Sequence, residues 1–340
     1  MTAESSETPQ IAVIGCGAIS ESYYFPALSA LPAWRRRVWL VDPSQARRAG
    51  AIARFGFDDA LQADDVAALP RSVVAAINAT PSHLHVATTM PLIERGVSVL
   101  VEKPLAEDAA DGRRMLEAAR GVCLLGVNHF RRIRPINRFV FEFIRRADLG
   151  AVRAISWREG HKFDWPTQSG FYFRRPWPQG RPRGAMLDIG VHVVDLICWW
   201  LGAAPSVVGA TMDSGGGPEA HVAATLAAGD VKIDLQVSFH AKMANQFVIE
   251  FERGTLRGST VDAHRIEIEA GGRTRRVNVG GSPDWNWIAG RIVGNFLDAI
   301  EGRADLLIDA ASVLPALDVI DQIYAVATDP MPACYREWVA

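Results

Sequence analysis

The sequence predicts an α/β protein in two domains: an N-terminal doubly wound parallel sheet, then an α+β domain with a large, open, mixed but mainly antiparallel sheet. Three observations carry this expectation. In the first third, short runs that are apolar throughout alternate with longer helical patterns, as doubly buried strands and their crossover helices do. After Asn128 the apolar runs show partial alternation and are separated by glycine-rich turns, which suits strands with one covered face. The length, 340 residues, also exceeds what a single hydrophobic core usually spans. The boundary is expected near residue 127, giving domains 1–127 and 128–340.

The first strand is IAVIG (11–15), followed by glycine-rich sequence and a helix that runs to about residue 31. VWLVD (38–42) leads into a helix over 43–55, and VVAAIN (73–78) into one over 82–96. VSVLVEK (97–103) precedes a helix over 105–120, and VCLLGV (122–127) is the fifth strand. The second part opens with a helix over 135–148. Its strands are AVRAISWRE (151–159), SVVGATMDS (206–214), HVAATLAAG (221–229), VKIDLQVSF (231–239), QFVIEFERG (246–254) and HRIEIEAGG (264–272). Helices are expected over 186–201, 287–302 and around 311–327.

Composition narrows the function classes. Apolar residues make up 49% and charged ones 22%, as in ordinary globular proteins, and the net charge of -2 gives no broad attraction to nucleic acid or an anionic membrane. The run Arg35-Arg36-Arg37 reads as a solvated connection. Cys16, Cys123, Cys198 and Cys334 are scattered, with neither a CxxC pair nor a Cys/His cluster, so no disulfide framework or structural zinc is expected. The polar, acidic first ten residues have no secretory h-region, and no apolar run reaches the ~20 residues of a membrane span. A cytoplasmic location is expected.

The segment GCGAIS sets Gly15 and Gly17 directly after the first strand. Gly15 permits a tight turn, Gly17 allows backbone to approach a pyrophosphate at a helix start, and Ser20 is small enough for close helix packing. Asp42 ends the second strand, where a carboxylate accepts hydrogen bonds from ribose hydroxyls and repels a 2′-phosphate. It also suits a helix cap ahead of Pro43. NAD is favoured, with NADP as the alternative because Arg47 and Arg48 follow. Thr80 and Pro81 lie at the carboxyl end of the third strand, where such sheets bind ligands. His83 and His85 lack a third ligand nearby, so no metal is expected; His85 is expected to face the cofactor cleft.

VSVLVEKPL ends an apolar strand on Glu102 and Lys103, although burying an unpaired charge costs several kcal/mol. Pro104 stops the strand and fixes the chain direction just after the lysine. Lys103 therefore reads as functional. In GAMLDIGVHVVDLICWWLG (184–202), Asp188, His192 and Asp195 form a polar stripe at i, i+4 and i+7 on an otherwise apolar helix. Flanking carboxylates suit an oriented base, whereas the plainer alternative is a satisfied core histidine.

With these pieces in order, the chain resembles the Gfo/Idh/MocA family, named for glucose-fructose oxidoreductase and inositol dehydrogenase. The matching segments are the Gly15-x-Gly17 loop, ATPSHLH, VEKPL and LDIGVHVVD, and the similarity spans almost the whole chain. The resemblance implies a Rossmann domain, a C-terminal domain that often oligomerises through its sheet, and Lys103, Asp188 and His192 as the catalytic set. The expected cofactor-binding residues are Gly15, Cys16, Gly17, Ala18, Ile19, Asp42, Thr80, Pro81, His85, Glu102 and Lys103. The substrate is expected against Lys103, Asn128, His129, Arg132, Tyr172, Arg174, Trp177, Asp188 and His192. The expected activity is reversible NAD(P)-dependent oxidation of a secondary alcohol on a sugar, cyclitol or derivative, in a homodimer or homotetramer. Whether Lys103 or His192 carries the proton stays open. Two alternatives are an NAD-dependent glycosidase with transient redox and a non-enzymatic sensor of the same fold. The segment 159–184, long, aromatic and arginine-rich, departs from any recognisable substrate pattern.

Overall fold

The computed structural model describes residues 8–161, 183–213, 218–261, 264–280 and 284–328. The chain divides into two compact units, Met1–His129 with Pro283–Leu314, and Phe130–Ser282 with Pro315–Ala340. The first boundary falls beside the expected residue 127, but 283–314 returns to the first unit instead of staying in the second. Its helix Trp285–Ile300 buries Ile288, Ile292, Val293 and Phe296. Trp285 meets the ring of Tyr23 edge-on, and the Val127 N–H donates to Ile308 O at 3.0 Å. Local composition cannot announce such a return, because an apolar helix face fits either core.

The first unit holds a six-stranded parallel sheet in the order β3-β2-β1-β4-β5-β6. Its strands are β1 (Gln10–Ile14), β2 (Val38–Val41), β3 (Gln62–Ala63), β4 (Val73–Asn78), β5 (Ser98–Glu102) and β6 (Leu125–Asn128). The order reverses between β1 and β4, the switch point where doubly wound sheets bind ligands beyond their carboxyl ends. Ile14 pairs with Val41 and Asn78, Asn78 with Val101, and Glu102 with Asn128. This register brings Gly15, Asp42, Ala79, Lys103 and His129 to one edge of the sheet. The apolar strands are mostly buried, with Trp39 and Val74 partly exposed: Ile11, Ala12, Val13, Ala75, Ile77 and Val99 have no exposed surface.

The second unit carries eight strands in the order β14-β13-β12-β11-β7-β10-β9-β8. They are β7 (Val152–Gly160), β8 (Ser206–Asp213), β9 (His221–Ala228), β10 (Val231–Ser238), β11 (Gln246–Phe251), β12 (Gly254–Ser259), β13 (Arg265–Ala270) and β14 (Arg273–Asn278). Only β7 and β10 pair in parallel. Alternate residues of β7 point inward, so Ile155, Trp157 and Glu159 are buried. Trp157 stacks on its cross-strand partner Phe247 at 5.3 Å, and Trp200 of the helix Val191–Leu201 closes on both rings. The Trp200 indole N–H donates to Asn137 O in the helix Pro135–Arg146, tying the two helices together. β12 and β14 were not expected. β12 begins on a glycine, and β14 reads RTRRVN, whose exposed arginines belong to an edge strand that must not pair further. Among the described residues, no helix is long and apolar enough to cross a membrane.

Candidate active site

The glycine loop is built by backbone proximity. Gly15 has φ +91°, and a Cβ there would lie 2.8 Å from Ala79 O, so any side chain would collide with the end of β4. Its N–H donates to Val41 O at 2.7 Å, and buried Ser20 closes the turn by donating its hydroxyl to Gly15 O at 2.5 Å. Gly17 differs, since a Cβ would meet nothing within 4 Å. The protein's own packing does not require that glycine, whereas a ligand lying on the loop would. Ala18 and Ile19 open the helical turn that follows, where first-turn N–H groups suit an anion. These features fit a dinucleotide pyrophosphate.

Asp42 is buried, and its carboxylate accepts from Cys16 N and from Ser44 N, each at 2.8 Å. Cys16 therefore directs its N–H at Asp42, which identifies it as a support for the loop instead of a phosphate donor. Burial pushes its thiol up to about 12, so it is inert. Arg47 approaches Asp42 at 3.7 Å from a largely exposed position, and Arg48 donates to Asp42 O.

The charge that ends β5 is paired. Glu102 is buried, and its Oε1 accepts from the Tyr24 hydroxyl at 2.6 Å and from Asn128 Nδ2 at 2.8 Å. Its Oε2 accepts from Lys103 N at 3.1 Å. Burial holds the carboxyl above its ordinary range, although these donors pull the other way. Asn128 also donates to Tyr24, at 2.9 Å, so its amide points inward instead of towards a substrate. The result is a bracket of three strand-end and turn residues beneath Lys103. The Lys103–Pro104 peptide is cis.

His85, expected to face the cofactor, is buried. Its Nδ1 lies 2.7 Å from Pro104 O and its Nε2 2.9 Å from Thr80 O, so the ring ties the β4 loop to the turn after Lys103. Desolvation holds the imidazole below its ordinary range, against the pull of the two carbonyls. Thr80 donates its hydroxyl to Asn78 Oδ1 at 2.7 Å, and Pro81 starts the turn Ser82–Leu84. His129 is buried, with its N–H on Val127 O.

In the second unit the expected helix 186–201 is a π-helical turn, Met186–Gly190, continued by the α-helix Val191–Leu201. Its start is held from outside by Glu219, whose carboxylate accepts from Gly184 N at 2.8 Å, Met186 N at 2.9 Å and the Tyr324 hydroxyl at 2.7 Å. Burial raises the Glu219 carboxyl. His192 is buried, and Phe130 packs edge-on to its ring at 5.1 Å. Asp195 receives Arg132 Nε at 2.8 Å and Nη2 at 2.6 Å in a buried bidentate pair. Arg132, expected against the substrate, thus holds the candidate catalytic helix to the turn Phe130–Ile133.

Lys103 belongs to the first unit, and Asp188 and His192 to the second. Tyr172, Arg174 and Trp177 lie outside the described residues. Sequence reasoning missed Tyr24, Glu159 and Glu219. Tyr24 and Glu219 stand far along the chain from the groups they serve, and the signal that could have found Glu159 is its place on the inward, apolar face of β7.

Residues 10–129 match the family model described as "Oxidoreductase family, NAD-binding Rossmann fold", and residues 138–257 match the GFO/IDH/MocA C-terminal domain. Among curated relatives, dTDP-3,4-didehydro-2,6-dideoxy-alpha-D-glucose 3-reductase of Actinomadura kijaniata is 29% identical over 60% of this chain and 59% of its own. 1,5-Anhydro-D-fructose reductase of Ensifer adhaerens is 30% identical over 60% of each chain. Inositol 2-dehydrogenase 1 of Saccharopolyspora erythraea is 33% identical over 43% of each. The chain thus spans about three-fifths of the length of the first two relatives. The solved 3-ketoreductase of Actinomadura kijaniata, in complex with TDP-benzene and NADP, superposes with a TM-score of 0.78 at 21% identity, covering 95% of this chain and 99% of that one. A levoglucosan dehydrogenase in complex with NADH and levoglucosan gives 0.78 at 18%, covering 94% and 97%. At these identities the likeness speaks for the fold. With the two matched segments covering most of the chain, and the glycine loop, Glu102-Lys103-Pro104 and the Asp188–His192 turn in place, the protein belongs to the Gfo/Idh/MocA oxidoreductase family.

Proposed function

We propose that the protein is an NAD(P)-dependent oxidoreductase that interconverts a secondary alcohol and a ketone on a sugar, cyclitol or derivative. The observation that carries this reading is the Tyr24–Glu102–Asn128 bracket, which sets Lys103 directly beyond the strand edge that also bears the glycine loop. Family membership and relatives named as sugar reductases and an inositol dehydrogenase support it. When bound, the dinucleotide supplies the hydride acceptor. On this reading Lys103 serves as a hydrogen-bond donor that stabilises developing negative charge, His192 as a group that takes a proton, with these two roles exchangeable, and Asp188 as an orienting carboxylate. The cytoplasm and a homo-oligomer built through the open face of the eight-stranded sheet belong to the same proposal; light scattering in solution tests the latter.

NAD is the preferred cofactor, because the Asp42 carboxylate is buried and fixed by two backbone donors while Arg47 is largely exposed. The test is a spectrophotometric screen of polyols, inositols, and amino and keto sugars with NAD and NADP. Net NAD(P)H formation or consumption is the expected result. A tightly retained cofactor with release of an aglycone, or binding with no turnover, would overturn the reading. Replacing Asp42 with Ser should lower kcat/KM for NAD at least tenfold and narrow the gap to NADP; an unchanged ratio would refute the preference.

A further inference from the structure

The short segment from Phe130 to Arg134 carries three guanidinium groups, and the second unit supplies carboxylates for two of them. Arg132 is held by Asp195. Arg131 is held by Glu159, through Nη1 at 2.9 Å and Nη2 at 2.8 Å. Glu159 has no acceptor site left for a third cation, since its two oxygens also face Trp157 Nε1 at 3.0 Å and His161 Nε2 at 2.8 Å. A carboxylate presents about four acceptor sites, and all are taken.

Arg134 is the remaining cation. It is half-buried, its Nε is enclosed without an acceptor, and no ion pair reaches it among the described residues. Its guanidinium lies over the Phe130 ring at 5.6 Å, and the same ring packs on His192 at 5.1 Å. The guanidinium carbon is therefore within about 11 Å of the imidazole centre, the reach of a sugar ring and one substituent. Burial, and the neighbouring charge of Arg131, bring its pKa down to about 10, so it is still a cation at neutral pH. Glu159 acts on Arg134 only through space, and a half-buried guanidinium with no carboxylate bonded to it is costly, while its planar fork matches a carboxylate or phosphate.

We infer that Arg134 reads an anionic group on the substrate, so that the sugar or cyclitol oxidised near His192 carries a carboxylate or a phosphate. This rests on the oxidoreductase reading above and narrows its substrate class. Arg131 and Arg132 are fastened to carboxylates of the protein itself, which leaves the neighbouring arginine for the ligand.

The test compares D-glucose with D-glucuronate, D-glucose 1-phosphate and UDP-glucose, as substrates and as ligands measured by calorimetry. The expected result is tighter binding of at least one anionic sugar than of glucose, and which one identifies the group as carboxylate, monoester or diphosphate. Arg134→Gln should raise KM for that sugar, relative to its neutral partner, roughly tenfold to a hundredfold, the worth of a charge-assisted hydrogen bond. Arg134→Lys, which keeps the charge but not the fork, should recover part of the loss. Equal binding of neutral and anionic sugars by the wild type, or an anionic-to-neutral KM ratio unmoved by Arg134→Gln, overturns the inference. Arg134-dependent binding of an anionic sugar without any hydride transfer would keep the inference and refute the oxidoreductase reading. Turnover of neutral sugars alone would do the reverse.

Discussion

The Tyr24 hydroxyl donates to Glu102 Oε1 at 2.6 Å, joining the turn after the glycine loop to the strand end that bears Lys103. Two segments 78 residues apart are thereby fixed to one another, and a buried carboxyl, which desolvation holds above its ordinary range, is given donors. Replacing Tyr24 with Phe removes one donor from a buried acceptor and should cost about 1–3 kcal/mol in denaturant unfolding. Turnover should fall with it, since Glu102 also receives the Lys103 N–H. Unchanged stability together with unchanged kcat would show that the bracket is dispensable.

Lys103 itself is half-buried and follows the bracket directly. Lys103→Met keeps most of the side chain's length and volume and deletes the charge. Dinucleotide binding, followed by fluorescence titration, should change by no more than about threefold. Turnover should drop about a hundredfold or more, the scale of losing one donor to a developing oxyanion. A variant that keeps its turnover would remove Lys103 from the chemistry.

Glu219 holds the start of the turn that carries Asp188, using two backbone N–H donors and the Tyr324 hydroxyl. In Glu219→Gln an amide NH2 must face at least one of those donors. The expected cost is about 1–3 kcal/mol, with kcat lowered more than the KM of the dinucleotide, because the cofactor loop lies in the other unit. Equal losses in both would mean general destabilisation instead of a positioning role.

Acid stability should report on Glu159. Burial would raise its carboxyl, but Arg131, with help from His161, holds it down at about 2 against an ordinary value of 4.5. A depressed carboxyl contributes stability that is fully present above pH 4.5 and is lost as pH falls through about 2. The contribution is roughly 3 kcal/mol at neutral pH, from about 1.4 kcal/mol per unit. Denaturation midpoints followed by tryptophan fluorescence should therefore fall below pH 4.5 in the wild type, and Glu159→Gln should be weaker at pH 7 and flatter in acid. Parallel pH profiles for the two proteins would refute the assignment.

Much of this was legible in the chain. The parallel sheet could be read because doubly buried strands must be apolar at every position, and Gly15 because only glycine tolerates that turn against Ala79. Glu102 and Lys103 stood out as charges ending a buried strand. The roles of Asn128, His85 and Arg132 were read less well. Each is a polar residue near a site, and sequence cannot tell an inward partner from an outward ligand.

What the sequence determined alone was local: the periodicity of its strands and helices, the glycine turn, and the charged residues that end a buried strand. Tertiary structure decided the pairing. Tyr24 meets Glu102, Arg132 meets Asp195, Glu219 meets Gly184, and 283–314 rejoins the first unit. The physical reason is that a buried charge must find a partner, but which partner depends on strand order and helix packing, and these join residues far apart along the chain.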